Sequence, residues 1–302
     1  MINTISHIEL ANYENVEPPP VERSNFYYSF SILPTEEKRA MNSIYAFCSY
    51  IDDIVDRTPS NNIAEIEHKK RRLDWWEKEI ENIYEGKSSN PLIMPFVAVI
   101  RRFSIPKQYF LTLIDGCRTD LVKNRYRTFE ELKDYCYGVA SIVGLISIEI
   151  FGHKYEETKN YAVNLGYALQ LTNILRDIKS DKDRGYIYLP EEDLKKFGYS
   201  EADLIDEVYN DNFIELMRFQ VQRVRDYFHK ARTSLRPDER ITITAAEIMD
   251  AIYYRLLEKI ELNEYNIFKK KIHVAATHKL LIALKHWLSV KVFVKRVRKH
   301  NK

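Results

Sequence analysis

Glycine and proline are scarce in this chain, at 8 and 10 of 302 residues, and three of the prolines are the run Pro18 to Pro20. No proline falls between Pro106 and Pro190. A sheet protein of this size needs many more turn residues, so an all-β architecture is excluded. Cysteine is scarcer still. Cys48, Cys117 and Cys136 form no CxxC pair and are odd in number, against a disulfide scaffold and for a reducing, cytoplasmic setting. Charge of one sign is missing too: 46 Lys and Arg against 44 Asp and Glu leave +2, so no global field points to nucleic acid. Long apolar runs are absent. The stretch Val139 to Phe151 is broken by Ser141, Ser147 and Glu149, and at about 13 residues it reads as a core helix rather than a bilayer span. The first twenty residues lack the basic-then-apolar order of a secretory signal.

What remains is helical patterning. Thr128-Phe-Glu-Glu131 has the capping-box form, Ser200-Glu-Ala-Asp203 opens another helix, and Thr35-Glu-Glu places acids where a helix dipole favours them. Breaks are expected near Pro34, Thr58-Pro59, Asn90-Pro91, Pro106, Gly152, Lys182 to Pro190 and Arg236-Pro237. Length alone favours two domains. No linker or repeat divides the chain, however, so the expectation is one all-α domain over 21–285 with a loose tail over 1–20 and a C-terminal helix over 286–302. Tyr and Phe are abundant, at 21 and 14. Phe26, Tyr27, Tyr28, Phe30, Tyr45, Phe47, Tyr50, Tyr135, Tyr137 and Tyr167 sit in apolar helical stretches, as core packing or as the walls of a cavity.

Two acidic clusters stand out. Asp52 and Asp56 are four residues apart, on one helix face, where like charges repel unless a cation compensates them. Arg57 can serve as that partner if the cluster is only a solvated helix end. Asn173, Asp177 and Asp181 form an i, i+4, i+8 stripe, with Gln170 a turn earlier. Asn and Asp are poor interior helix residues, so a stripe of them amid leucine and isoleucine reads as a polar seam facing something specific, or as a surface stripe. Carboxylates and an amide oxygen on two helices suit a hard cation, and Mg²⁺ is typically held by one or two carboxylates plus waters and phosphates. With Arg57, Arg176, Lys179, Lys182 and Arg184 nearby, the pattern fits a Mg²⁺-bridged diphosphate, Mn²⁺ being an equivalent ion. A di-iron bundle requires Glu-x-x-His pairs, and none occurs. Paired-carboxylate glycosidase and Ser/His/Asp chemistry have no comparable constellation.

At these residues the chain resembles the squalene/phytoene synthase family of head-to-head prenyl diphosphate condensing enzymes. The matching blocks are SNFYYSFSILP (24–34), YAFCSYIDDIVD (45–56), DLVKNRYRTFEELKDYCYGVASIVG (120–144), GYALQLTNILRDIKSDKDRGYIYLPEEDL (166–194) and AAEIMDAIYYRLLEKIE (245–261). The resemblance implies an all-α isoprenoid synthase fold with a central cavity. It implies Asp52, Asp56, Asn173, Asp177 and Asp181 as metal ligands, with the four aspartates and Tyr135 as catalytic residues. Asn25, Phe26, Tyr45, Gln170, Arg176, Arg184 and Tyr188 are implied substrate contacts. Two departures are visible: Ser49 stands where the family has Arg, and Asn25 where it has Ser.

The implied reaction is a Mg²⁺-dependent 1′–1 condensation of two prenyl diphosphates. The expected substrate is farnesyl diphosphate, giving presqualene diphosphate or squalene; the alternative is geranylgeranyl diphosphate, giving phytoene. Reduction to squalene requires NADPH, for which no GxGxxG fingerprint is present. A head-to-tail prenyltransferase or terpene cyclase uses different acidic motifs from NxxxDxxxD, and a non-catalytic helical binding protein has no use for both acid clusters. From Lys285 onward the chain carries Lys285, Lys291, Lys295, Arg296, Arg298, Lys299 and Lys302 with no acid, and Trp287, Val290, Val294 and Val297 recur at helical spacing. Such a helix either packs its apolar stripe on the core or lies peripherally on the inner face of a membrane.

Overall fold

The computed structural model describes residues 25–55 and 62–300, and side chains over 26–55 and 62–289. Its elements are helices. In chain order they are α1 (Asn25–Phe30), α2 (Thr35–Val55), α3 (Ile63–Tyr84), α4 (Met94–Phe103), α5 (Lys107–Thr119), α6 (Phe129–Cys136), α7 (Ile142–Phe151), α8 (Glu157–Asp183), α9 (Glu191–Lys196), α10 (Glu201–Ile205), α11 (Asp211–Ser234), α12 (Thr244–Leu262) and α13 (Ala276–His300). No strand occurs among the described residues; one parallel bridge joins Arg125 to Ile187. Pro106 caps α5, Gly152 ends α7 in a left-handed turn, and Asn90-Pro91 opens a short 3₁₀ turn, as the breakers require.

The caps are chemically specific. Ser200 and Asp203 form a reciprocal box. At α6 the pattern is only half realised. Thr128 accepts from the Glu131 amide, but the Glu131 carboxylate accepts from the Arg127 amide and pairs with Lys123, not with the amide of Thr128. Those contacts hold Glu131 at a pKa of about 2.

The core is one continuous cluster running through α2 to α8 and α11 to α12. Phe47 stacks on Phe96 at 4.6 Å and meets Trp76 edge-on at 5.3 Å, so it belongs to that core, while Tyr45, two residues earlier, faces the other way. Helix α8 packs along α11 and against α7 and α12. Two close approaches need glycine: a Cβ on Gly138 would meet the Gly116 backbone at 2.9 Å, and one on Gly166 would collide with Ser141. Between α6 and α7 the chain widens into a π turn over Tyr137–Ser141. Phe129–Phe151 is therefore one continuous helical rod, long and apolar enough for a membrane span by composition, but half of its apolar stretch is buried inside the protein, as for a core helix. The proposed boundary at 285/286 falls inside α13.

Candidate active site

A cavity of about 470 Å³ opens between α1, α2, the α6–α7 rod, α8 and α12. Its two ends differ. At one end α2 contributes Tyr45, Cys48, Ser49 and Asp52, a stripe at helical spacing, and α8 contributes Gln170, Asn173, Asp177 and Asp181. Asp52 of the first acidic cluster and the Gln170, Asn173, Asp177, Asp181 stripe read from the sequence thus share one space. Phe26, Tyr45, Tyr135, Arg176, Arg184 and Tyr188 line it as well. Asp56 and Arg57 lie outside the described residues, as does the side chain of Asn25.

The acids are held by cations. Asp177 takes a bidentate hydrogen bond from Arg176, with Nε to Oδ1 at 3.0 Å, and Lys271 lies 3.3 Å from the same oxygen. Burial works to raise the Asp177 pKa, but these two cations outweigh it and leave it below the usual carboxylate value. Asp181 is buried and accepts from Arg184 at 2.8 Å. Asn173 Nδ2 lies 3.4 Å from Gln170 Oε1, and its Oδ1 is buried with no hydrogen-bond partner. Burial and the Asp52 carboxylate push the Cys48 thiol up to about 12, so it stands neutral in the wall.

Lys179 and Lys182, expected beside a diphosphate, turn away instead. Both pair with Glu207, and neither lines the cavity. Two and five residues from Asp177, they project from other sides of α8.

Three residues carry more than the sequence reading gave them. Asp120, at the C-cap of α5, lines the cavity and accepts hydrogen bonds from Tyr135 Oη at 2.9 Å and Tyr188 Oη at 3.3 Å. Burial and that carboxylate raise both phenol pKa values, so Tyr135 is a protonated donor at neutral pH. The arrangement is tertiary: Ile187 N donates to Asn124 O, Arg125 Nη1 donates to Gly185 O, and this bridging brings the loop after α8 against the loop after α5. Tyr126, Tyr188 and Tyr186 stack there in a column, with Tyr135 on Tyr188 at 5.4 Å. Lys271, in the loop before α13, supplies a cation near the acids. Lys279 lies over the Tyr28 ring at 5.5 Å, and burial together with nearby Arg176 lowers its pKa.

Among the described residues no three His, Cys, Asp or Glu side chains gather around one point, so no ready-made metal cage exists there. The donor set still fits a hard cation: it is all oxygen, and the unpartnered buried Asn173 Oδ1 has capacity to spare. Such an ion would have to arrive with phosphate oxygens of its own to complete its shell.

The far end is apolar and small. Gly144, Ser147 and Phe151 of the α7 segment, Ala162 and Leu165 of α8, and Ala245 and Ala246 of α12 close it. Ser147 turns its hydroxyl back onto Val143 O, leaving little polarity there.

Comparison with known proteins agrees with this geometry. A phytoene synthase of Arthrospira platensis is 37% identical over 272 residues, spanning 85% of each chain. A 15-cis-phytoene synthase of Synechocystis sp. is 36% identical over 279 residues, spanning 88% of this chain and 81% of the other. The squalene synthase HpnC of Alicyclobacillus acidocaldarius superimposes with a TM-score of 0.73 at 26% identity, over 86% of this chain and 97% of that one. A dehydrosqualene synthase solved in complex with a ligand gives 0.74 at 26% identity, over 96% and 98%. The family model described as squalene/phytoene synthase matches residues 21–278, and the chain belongs to that prenyltransferase family.

Proposed function

We propose that the protein joins two geranylgeranyl diphosphates head to head, as a phytoene synthase. The observation that carries this reading is the pair of phytoene synthases matched at 36–37% identity along more than four fifths of both chains. It favours the C20 alternative over farnesyl diphosphate, the substrate expected first. The cavity's floor of small residues, Gly144, Ser147, Ala162, Ala245 and Ala246, agrees with a longer chain.

In this reading Asp52, Asn173, Asp177 and Asp181 would hold Mg²⁺, with Asp56 as a further ligand. When bound, that ion would supply charge neutralisation to the diphosphate and so ease C–O cleavage. Arg176, Arg184 and Lys271 release the acids and turn to phosphate oxygens. The double bond of the second substrate attacks the allylic cation, and loss of a proton to the released diphosphate closes the ring of a cyclopropylcarbinyl diphosphate. Phe26, Tyr45 and Tyr135 present ring faces and keep water away. The second ionisation ends in proton loss and a central double bond, so no reductant is consumed; NADPH belongs only to a squalene product. Tyr135, protonated and bonded to Asp120, is unsuited to act as the base, and the departing diphosphate takes the proton.

A second reading, C15 chemistry, is favoured by the likeness to squalene and dehydrosqualene synthases at 26% identity. Mass spectrometry of products from each diphosphate, with Mg²⁺ and with or without NADPH, separates the two. A C40 hydrocarbon formed without NADPH supports the proposal, and exclusive C30 product overturns it.

A further inference from the structure

The turn after α8 carries two cavity residues within five positions. Arg184 caps α8 and donates to Asp181 at 2.8 Å, and Tyr188 donates to Asp120 at 3.3 Å. Between them stands Gly185 at φ +93°, a backbone state that glycine adopts freely and other residues rarely do. A turn through an unrestrained glycine would leave both side chains loosely placed, so the turn has to be fixed from elsewhere.

What fixes it lies outside the cavity. Arg125, in the loop after α5, is not among the lining residues. Its Nη1 donates to Gly185 O at 2.7 Å and to Asn124 O at 2.8 Å, and its Nε and Nη2 donate to Glu201 Oε1 at 3.0 and 2.7 Å. One guanidinium thus joins the loop before α6, the turn after α8 and the start of α10. Asn124 completes the lock: its Nδ2 donates to Gly185 O at 3.3 Å, and its O accepts from Ile187 N at 3.0 Å. The chain is pinned at 185 and 187, and in a bridged stretch alternate side chains share a face. Tyr186 and Tyr188 do so. Their rings stack at 5.8 Å, with Tyr186 Oη donating to Asp120 O and Tyr188 Oη to Asp120 Oδ1. The outer anchor is firm, because Glu201 opens a helix whose first turn is closed by the Ser200–Asp203 box. Three acceptors in different directions call for a planar fork of donors, which an ammonium does not offer. The Arg125 side chain is 30% exposed, so small solutes reach its place from solvent.

We propose that Arg125 is a positioning residue of the diphosphate site, acting through Gly185 to set Arg184 and Tyr188 against the cavity. The proposal rests on the reading of the acid end as a diphosphate site. The test is isothermal titration of the full chain with inorganic diphosphate in the presence of Mg²⁺, beside prenyl turnover and Tm. Arg125→Ala is expected to weaken diphosphate binding about tenfold and to lower kcat by at least as much. Arg125→Lys should stay closer to Arg125→Ala than to the parent, and added guanidinium ion should recover part of the binding lost by Arg125→Ala. In an Arg184→Ala background, Arg125→Ala is expected to weaken binding by less than about twofold, because its effect runs through Arg184. Glu201→Ala, which removes the outer anchor and leaves both carbonyl contacts, is expected to weaken binding about threefold, and it decides the matter if Arg125→Ala does not fold. Binding at the parent level in these variants, with or without a fall in Tm, overturns the proposal, since Arg125 then only supports the fold. So does full additivity with Arg184→Ala. A parent that binds no diphosphate overturns the site reading along with the proposal, whereas a parent that binds beside variants that bind equally well removes the positioning role alone.

Discussion

The two ends of the cavity share helix α8 and obey different physics. From Asp177 to Ala162 is fifteen residues, about 22 Å along the helix axis. The polar end is a set of charges held in tension: Asp177 between Arg176 and Lys271, Asp181 with Arg184, Asp120 with two phenols. Each ion pair there is a partnership that a diphosphate can exchange for its own. The far end holds no comparable polarity; Gly144, Ser147, Ala162, Ala245 and Ala246 make space by being small. On the proposed function, the acid end carries the chemistry and the far end gauges chain length, so either can be changed without the other.

The largest test of this division is at the acids. Asp177→Asn or Asp181→Asn is expected to lower turnover about a thousandfold with either prenyl length. The fold should be preserved, as judged by circular dichroism beside a diphosphate-release assay. Turnover near the parent level would move the chemistry elsewhere. At the floor, Ala246→Phe or Ser147→Phe is expected to cut C20 turnover about a hundredfold and to spare C15 substrate. An equal fall for both lengths would mean the floor is not the gauge.

Between the ends, Tyr135→Phe removes one hydrogen bond to a carboxylate. A loss of about tenfold in kcat is expected, in line with roughly 1.5 kcal/mol for a charged hydrogen bond, with KM unchanged. A rise in KM with kcat intact would make Tyr135 a binding residue only. The smallest effect lies outside the cavity. Glu131, which braces the start of α6, is depressed in the folded state to about 2 from 4.5. Its contribution is therefore present above about pH 4.5 and fades as pH falls toward 2. Glu131→Gln should lower Tm slightly at pH 7 and leave it unchanged near pH 2. A Tm difference that persists in acid would show that packing, not charge, is at stake.

How much of this was legible depended on distance along the chain. The Gln170, Asn173, Asp177, Asp181 stripe was readable because a helix repeats every 3.6 residues, and all four line the cavity. The same period, applied to Lys179 and Lys182, would have sent them to other sides of α8, where they pair with Glu207. Asp120 and Lys271 gave no such signal. Both sit outside helices, and each becomes part of the site only when loops far apart in sequence meet. The outer leucines of α13 were hidden in plain composition, since a leucine in a helix reads equally as core or as surface until its neighbours are known.

Sequence by itself determined the helices, the two acidic faces and the family, because capping, period and spacing are local properties that survive without knowledge of the fold. Tertiary structure alone decided that Asp52 and the α8 stripe open into one cavity, that Asp120 restrains Tyr135, that small residues close the far end, and that Leu280, Leu281, Leu284 and Leu288 of α13 stay exposed. Each of those depends on which surfaces meet across long stretches of chain, and burial and electrostatic pairing are set by that meeting rather than by any single segment.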